Sequence, residues 1–157
     1  MTGVQTCALP IWRPHTIAAP PAIVWGILSD LRRMGEWSPQ CVRMTVLGRE
    51  VGVGTRTINL NRHGWKRWPT AARVVVFEPE QTLAFRVPLN RTVWTYELEP
   101  SATGTVLTES RRAPSGVSRL SNIAVGAALG GTEAFEASLS DGIRRTLERI
   151  KAEAEAS

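Results

Sequence analysis

Glu109 and Arg111 stand two residues apart in the strand-like run Thr105 to Arg112, so their side chains share one face. If Leu107 points inward, both enter the interior. There a carboxyl beside a guanidinium could orient a ligand carbonyl or exchange a proton. Tyr96, in the preceding run, is the third group able to carry a proton. The plainer expectation is a solvated face, or a structural bridge at the strand end, because charges are seldom buried without need. His15 and His63 are the only histidines; neither has an acidic partner at metal spacing, and a surface or capping role is expected for both. Cys7 and Cys41 form no Cys-x-x-Cys, which leaves no disulfide framework and no thiolate metal site. Gly52-Val53-Gly54 lacks a third glycine and a following helix, so it reads as a turn. No metal and no cofactor is expected.

Large side chains are the second signal. The chain has six Trp against one Tyr, and Trp37, Trp65, Trp68 and Trp94 could line a pocket for a planar or acyl ligand. Core packing is the default for any single one. The expected ligand contacts are Trp37, Trp68, Phe85, Trp94, Tyr96, Leu107, Phe135 and Leu139, although a residue such as Phe135 is more often core than contact. Asn61 and Arg62 beside Trp68 could form a polar mouth or a plain turn.

These residues need elements to hold them. Arg13 to Ala18 reads as a short strand, stopped by Ala19-Pro20-Pro21, and proline suits the first turn of the helix that follows to Asp30. Leu31 to Trp37 reads as a second short helix, ended by Ser38-Pro39. From Gln40 to Arg112 short strands alternate with tight turns: Cys41 to Leu47, Thr55 to Asn61, Thr70 to Phe77, Thr82 to Val87, Arg91 to Glu99 and Thr105 to Arg112. Period-two alternation puts Leu83, Phe85 and Val87 on one face, and likewise Trp94, Tyr96 and Leu98, and Leu107, Glu109 and Arg111. From Ser118 the period becomes helical, with Gly130-Gly131 able to break it. Phe135, Leu139, Ile143, Leu147 and Ile150 then form an apolar stripe on a long helix. The fold class is α+β: an antiparallel sheet of about seven strands, two short helices after the first, and a C-terminal helix packed across the sheet. A sheet wrapped round one helix tends to leave a gap lined by large side chains. That gap is where a ligand would sit.

Composition narrows the classes. Formal net charge is +5 and nearly all the positive charge is arginine, with Lys66 and Lys151 the only lysines. Nucleic-acid binding would need a basic stripe interleaved with aromatics, and His63 to Trp68 comes nearest; a solvated arginine surface is the better reading, so no nucleic acid is expected. The longest apolar run, Ile123 to Leu129, falls far below the ~18–20 residues of a spanning helix. A cytoplasmic, reducing setting fits, with a monomer or weak dimer. Residues 1–11 resemble the conceptual translation of a sequencing adapter read from a GTG start. Residues 1–12 are therefore set aside as a non-native leader, and 13–157 as one ligand-binding domain.

The element order resembles the SRPBCC superfamily, the START-like helix-grip fold. Ile17-Ala-Ala-Pro-Pro-Ala-Ile-Val-Trp-Gly-Ile-Leu-Ser-Asp30 is similar to its N-terminal signature, followed by Trp37-Ser38-Pro39. Val53-Gly54-Thr55, Phe77-Glu78-Pro79, Leu83-Ala84-Phe85 and Gly104-Thr105 come in the expected order. The nearest branch is polyketide cyclase/dehydrase and lipid transport. The resemblance implies a hydrophobic cavity but no single reaction. Non-covalent binding, with possible carriage, of a small lipid- or polyketide-like molecule is the leading expectation. A polyketide cyclase or dehydratase using Glu109, Arg111 or Tyr96 is the rival, and an arginine-rich interaction module is a third reading.

Overall fold

The computed structural model describes residues 11–114 and 131–157. Seven antiparallel strands form one sheet in the order β1-β7-β6-β5-β4-β3-β2. They are β1 (Ile11–Ile17), β2 (Cys41–Leu47), β3 (Arg56–His63), β4 (Lys66–Glu78), β5 (Thr82–Val87), β6 (Thr92–Ser101) and β7 (Gly104–Arg112). Helix α1 (Pro21–Leu28), a 3-10 turn (Leu31–Arg33) and α2 (Met34–Trp37) lie between β1 and β2, and α3 (Thr132–Glu155) closes the chain. The α+β helix-grip architecture is as expected from sequence. The apolar segment 117–129 lies outside the described residues.

Two strands are longer than their sequence suggests. β1 starts at Ile11, with Ile11 opposite Arg111 and Trp12 opposite Ser110. β4 begins at Lys66 rather than Thr70, and contains Pro69. That proline is tolerated because β4 pairs with β5 only from Arg73 onward, so the first half of β4 has one open edge.

Geometry forces the sheet to curve. Seven flat strands would span roughly 29 Å, about three helix diameters, yet α3 bonds at both margins. On the β1 side, Arg13 donates to Ser140 Oγ (2.8 Å), Lys151 to the Thr16 carbonyl (2.6 Å) and the Ala18 amide to Glu155 (2.8 Å). On the β2 side, Gln40 donates to the Ser138 carbonyl (2.9 Å), while Arg149 caps the Glu36 and Trp37 carbonyls that end α2. One helix can reach both edges only if the sheet wraps around it. Leu139, Ile143, Leu147, Ile150 and Ala154 form its buried stripe, and Arg144 and Arg145 pair with Asp141 on the wet side. The β6–β7 turn fits tightly against β1: a Cβ on Gly104, whose φ is +148°, would strike the Ile17 carbonyl and Ala19 backbone.

Candidate functional site

The concave face of the sheet is built by two registers. Tyr96 lies opposite Glu109 and Trp94 opposite Arg111; one strand further, Leu83 lies opposite Tyr96 and Phe85 opposite Trp94. Two rows result, one reading Arg111, Trp94, Phe85 and the other Glu109, Tyr96, Leu83. Period-two alternation turns all six inward, and Glu109 is 2% exposed, Arg111 6%. The expected alternative of a solvated face is therefore corrected. Nor do Glu109 and Arg111 bridge each other among the described residues.

Tyr96 donates its hydroxyl to Glu109 Oε1 at 2.8 Å, while Glu109 Oε2 has no hydrogen-bond partner among the described residues. Burial lifts the Glu109 carboxyl to about 8, and the Tyr96 hydrogen bond only partly opposes that. Glu109 is thus mostly a neutral acid at pH 7. Burial also raises Tyr96, helped by the Glu109 charge and more weakly by Cys41. Cys41 stands on β2, four strands along the sheet from β6. The Cys41 thiol is itself buried and pushed up to about 11, so it is not a ready nucleophile. Arg111 holds its guanidinium carbon 6.0 Å from the Trp94 ring centre. Burial lowers its pKa, and Glu136 on α3 opposes the shift.

A second polar group lies on β3 and β4. Thr57 and Asn59 are buried, and Thr57 Oγ1 and Asn59 Oδ1 lack partners among the described residues. Asn61 donates to Thr70 Oγ1 at 2.8 Å. Sequence reasoning missed Thr57, Asn59 and Cys41. The hydrophobic pattern of β3 even points the other way, since Ile58 is half exposed while Asn59 is buried.

The remaining candidates are placed as follows. Phe85 is buried, with its ring 6.4 Å from that of Tyr96, and Leu107 is fully buried on β7. Trp68 is half-buried opposite Asn61. Leu139 is buried on α3, and Phe135 is half-buried with the His63 ring packed edge-on at 5.9 Å. His63 Nδ1 also lies 3.3 Å from Ser138 Oγ, so this histidine ties the β3–β4 hairpin to α3. Trp37 is buried but donates its indole N–H to Glu153 at 3.1 Å, under the Arg33 guanidinium. It serves the joint between α2 and α3. His15 lies opposite Leu107. Among the described residues no group of three His, Cys, Asp or Glu side chains could hold a metal ion, and no helix is long and apolar enough to cross a membrane. An open groove of about 560 Å³ beside α1, lined by Pro21, Glu80, Glu97, Leu98 and Glu99, contains none of the candidates.

Comparison with known proteins follows the same lines. No curated protein matches the chain. A di-domain ARO/CYC protein, StfQ of the steffimycin biosynthetic pathway, superposes with a TM-score of 0.76 at 16% identity; the match covers 94% of this chain and 51% of StfQ, so this chain spans about half its length. TTHA0849 from Thermus thermophilus gives 0.74 at 17% identity, covering 94% of this chain and 97% of that one. The Polyketide_cyc-like protein Cgl2372 from Corynebacterium glutamicum is 29% identical, with a TM-score of 0.59 over 91% of this chain and 89% of its own. The family described as polyketide cyclase / dehydrase and lipid transport matches residues 13–155. With its seven strands gripping one helix and that match over nearly its whole length, the chain belongs to the polyketide cyclase / dehydrase and lipid transport family.

Proposed function

We propose that the chain binds a small, mostly apolar, polyketide- or lipid-like molecule between the concave sheet face and α3. The observation that carries this reading is Glu109: buried, held by Tyr96, protonated near neutrality, and with Oε2 unpartnered among the described residues. An unsatisfied buried polar group costs roughly 1–3 kcal/mol. A ligand carbonyl accepting from the protonated Oε2 or from the Thr57 hydroxyl, or a ligand hydroxyl donating to Asn59 Oδ1, would recover that cost. Phe85, Trp94 and Leu139 supply apolar and aromatic contact area, and Arg111 suits an enol, carbonyl or carboxylate oxygen. Titration of Trp fluorescence with fatty acids and aromatic polyketides tests this reading, with native mass spectrometry for co-purified ligand. Saturable quenching at micromolar levels is expected; no quenching by either class would contradict it.

The same carboxyl favours a second reading, in which the bound molecule is dehydrated or cyclised. A solvent-shielded glutamic acid titrating near 8 suits a group that gives and takes a proton at neutral pH. In a β-hydroxy ketone, the carboxylate form of Glu109 would take the α-proton while Arg111 stabilises the enolate oxygen so formed. The Glu109 acid would then protonate the β-hydroxyl, which leaves as water as the enolate collapses to the conjugated ketone. Glu109→Gln separates the two readings. Pure binding predicts affinity within about threefold of the parent and no turnover in either protein; catalysis predicts parent turnover that the variant loses by roughly 10²-fold or more.

A further inference from the structure

We propose that the outer face of the β2–β4 corner, with the tip of the β3–β4 hairpin, docks the protein on an anionic lipid surface. Between Glu50 and Glu78 the chain has no acidic residue, but it has Arg56, Arg62, Lys66, Arg67 and Arg73. The fold gathers Arg56, Arg62, Arg67 and Arg73 on the outer face, while Lys66 stands at the hairpin tip on the other face. Arg56 is directly opposite Arg73, and Arg73 directly opposite Arg86, so three guanidinium groups sit on neighbouring strands about 5 Å apart. Like charges in that position repel, and none of the three has an ion pair among the described residues. Arg43 and Arg67 extend the charge toward the hairpin end, both exposed.

Apolar side chains stand among the arginines. Leu47, Ile58 and Val75 are 49%, 50% and 40% exposed, and Trp65 at the hairpin tip is 87% exposed with the Lys66 ammonium 5.6 Å from its ring centre. Aliphatic groups between cations, with a tryptophan at the projecting tip, match the headgroup–acyl boundary of an anionic bilayer. Lipid headgroups move laterally, so they can meet a fixed row of arginines without a partner of matching shape. Single-stranded nucleic acid would want rings between the cations, and the outer positions of β2, β3 and β4 carry none. The opposite end of the face carries Glu78, Glu80, Glu97 and Glu99. Each strand residue advances about 3.4 Å, which sets that acidic end some 14–20 Å from the arginine row. The resulting dipole turns the hairpin end toward a negative surface.

Co-sedimentation of the full chain with phosphatidylcholine vesicles, with and without phosphatidylglycerol, tests the proposal. Binding is expected only to the anionic vesicles, falling at least about tenfold between ionic strengths of about 50 and 500 mM. Arg56→Gln/Arg73→Gln/Arg86→Gln should weaken it by a similar factor, and Trp65→Ser several-fold at both ionic strengths. Glu97→Gln/Glu99→Gln, at the far end, should leave it unchanged or stronger; circular dichroism checks each fold. Equal binding to neutral vesicles, or none to either, would overturn the proposal. So would tighter binding to a single-stranded oligonucleotide with the same arginine dependence, which would make this face a nucleic-acid site instead. None of these readouts depends on a ligand in the concave site.

Discussion

Glu109 and Glu153 each accept a hydrogen bond from an aromatic side chain, yet their surroundings give them opposite character. Glu109 takes the Tyr96 hydroxyl at 2.8 Å inside the sheet, and burial raises its carboxyl to about 8. Glu153 takes the Trp37 indole N–H at 3.1 Å between α2 and α3. There the Arg33 guanidinium, 2.8 Å away, holds the carboxyl below its ordinary value. The aromatic donor does not decide the outcome; the presence of a cation and access to water do. Glu153 is a fixed anion that fastens one helix to another. Glu109 is an acid in reserve.

The pH dependence of folding should separate the two most sharply. A folded pKa above the unfolded one means that Glu109 binds its proton more tightly in the native state. Its contribution is therefore complete below about 4.5 and lost as pH rises through about 8. Glu109→Gln should match the parent near pH 5 and exceed it near pH 9 by an amount on the order of a few kcal/mol. Denaturant melts at the two pH values measure this, and parallel losses in both proteins would break the contrast.

Tyr96→Phe comes next. Removing the donor leaves Glu109 Oε1 unsatisfied, at a cost of about 1–2 kcal/mol. It should also raise the Glu109 titration further, because this hydrogen bond is what opposes burial. A fall in that titration would show that another group stabilises the carboxylate. Glu153→Gln should have the smallest effect, under about 1 kcal/mol near neutrality, because both partners are about one-third exposed. The sign on pH is reversed: with its folded pKa depressed, Glu153 stabilises above its unfolded value, and that stability is lost as pH falls. Urea melts at pH 7 and pH 3 should show the variant's deficit shrinking in acid.

Much of this contrast is written locally in the sequence, and the rest is not. That Glu109 and Arg111 are buried ran against the plainer expectation of a solvated face. Alternation nonetheless grouped Tyr96 with Trp94 and Leu98 on β6, and Glu109 with Leu107 and Arg111 on β7, because a strand's period is fixed by its backbone. Which of them meet depends on the cross-strand register, and the register depends on where Ser101 and Gly104 close the turn. Trp37 was legible as a large buried ring but not as the partner of Glu153, which lies 116 residues along the chain. β3 was the least legible. Its apolar Ile58 faces out and its polar Thr57 and Asn59 face in, contrary to the pattern of a strand on an apolar core. The arginine row was invisible for a related reason: Arg56, Arg73 and Arg86 are scattered in sequence and meet only through strand pairing.

The most direct test is a carbon-13 NMR titration of the glutamate carboxyl carbons, with Glu109→Gln assigning the signal, repeated with a fatty acid or aromatic polyketide bound. One carboxyl is predicted to titrate near 8 in the free protein and to change its midpoint when ligand occupies the concave face. If Glu109 titrates with the exposed glutamates and ignores the ligand, it is an ordinary carboxylate and the account of the site is wrong.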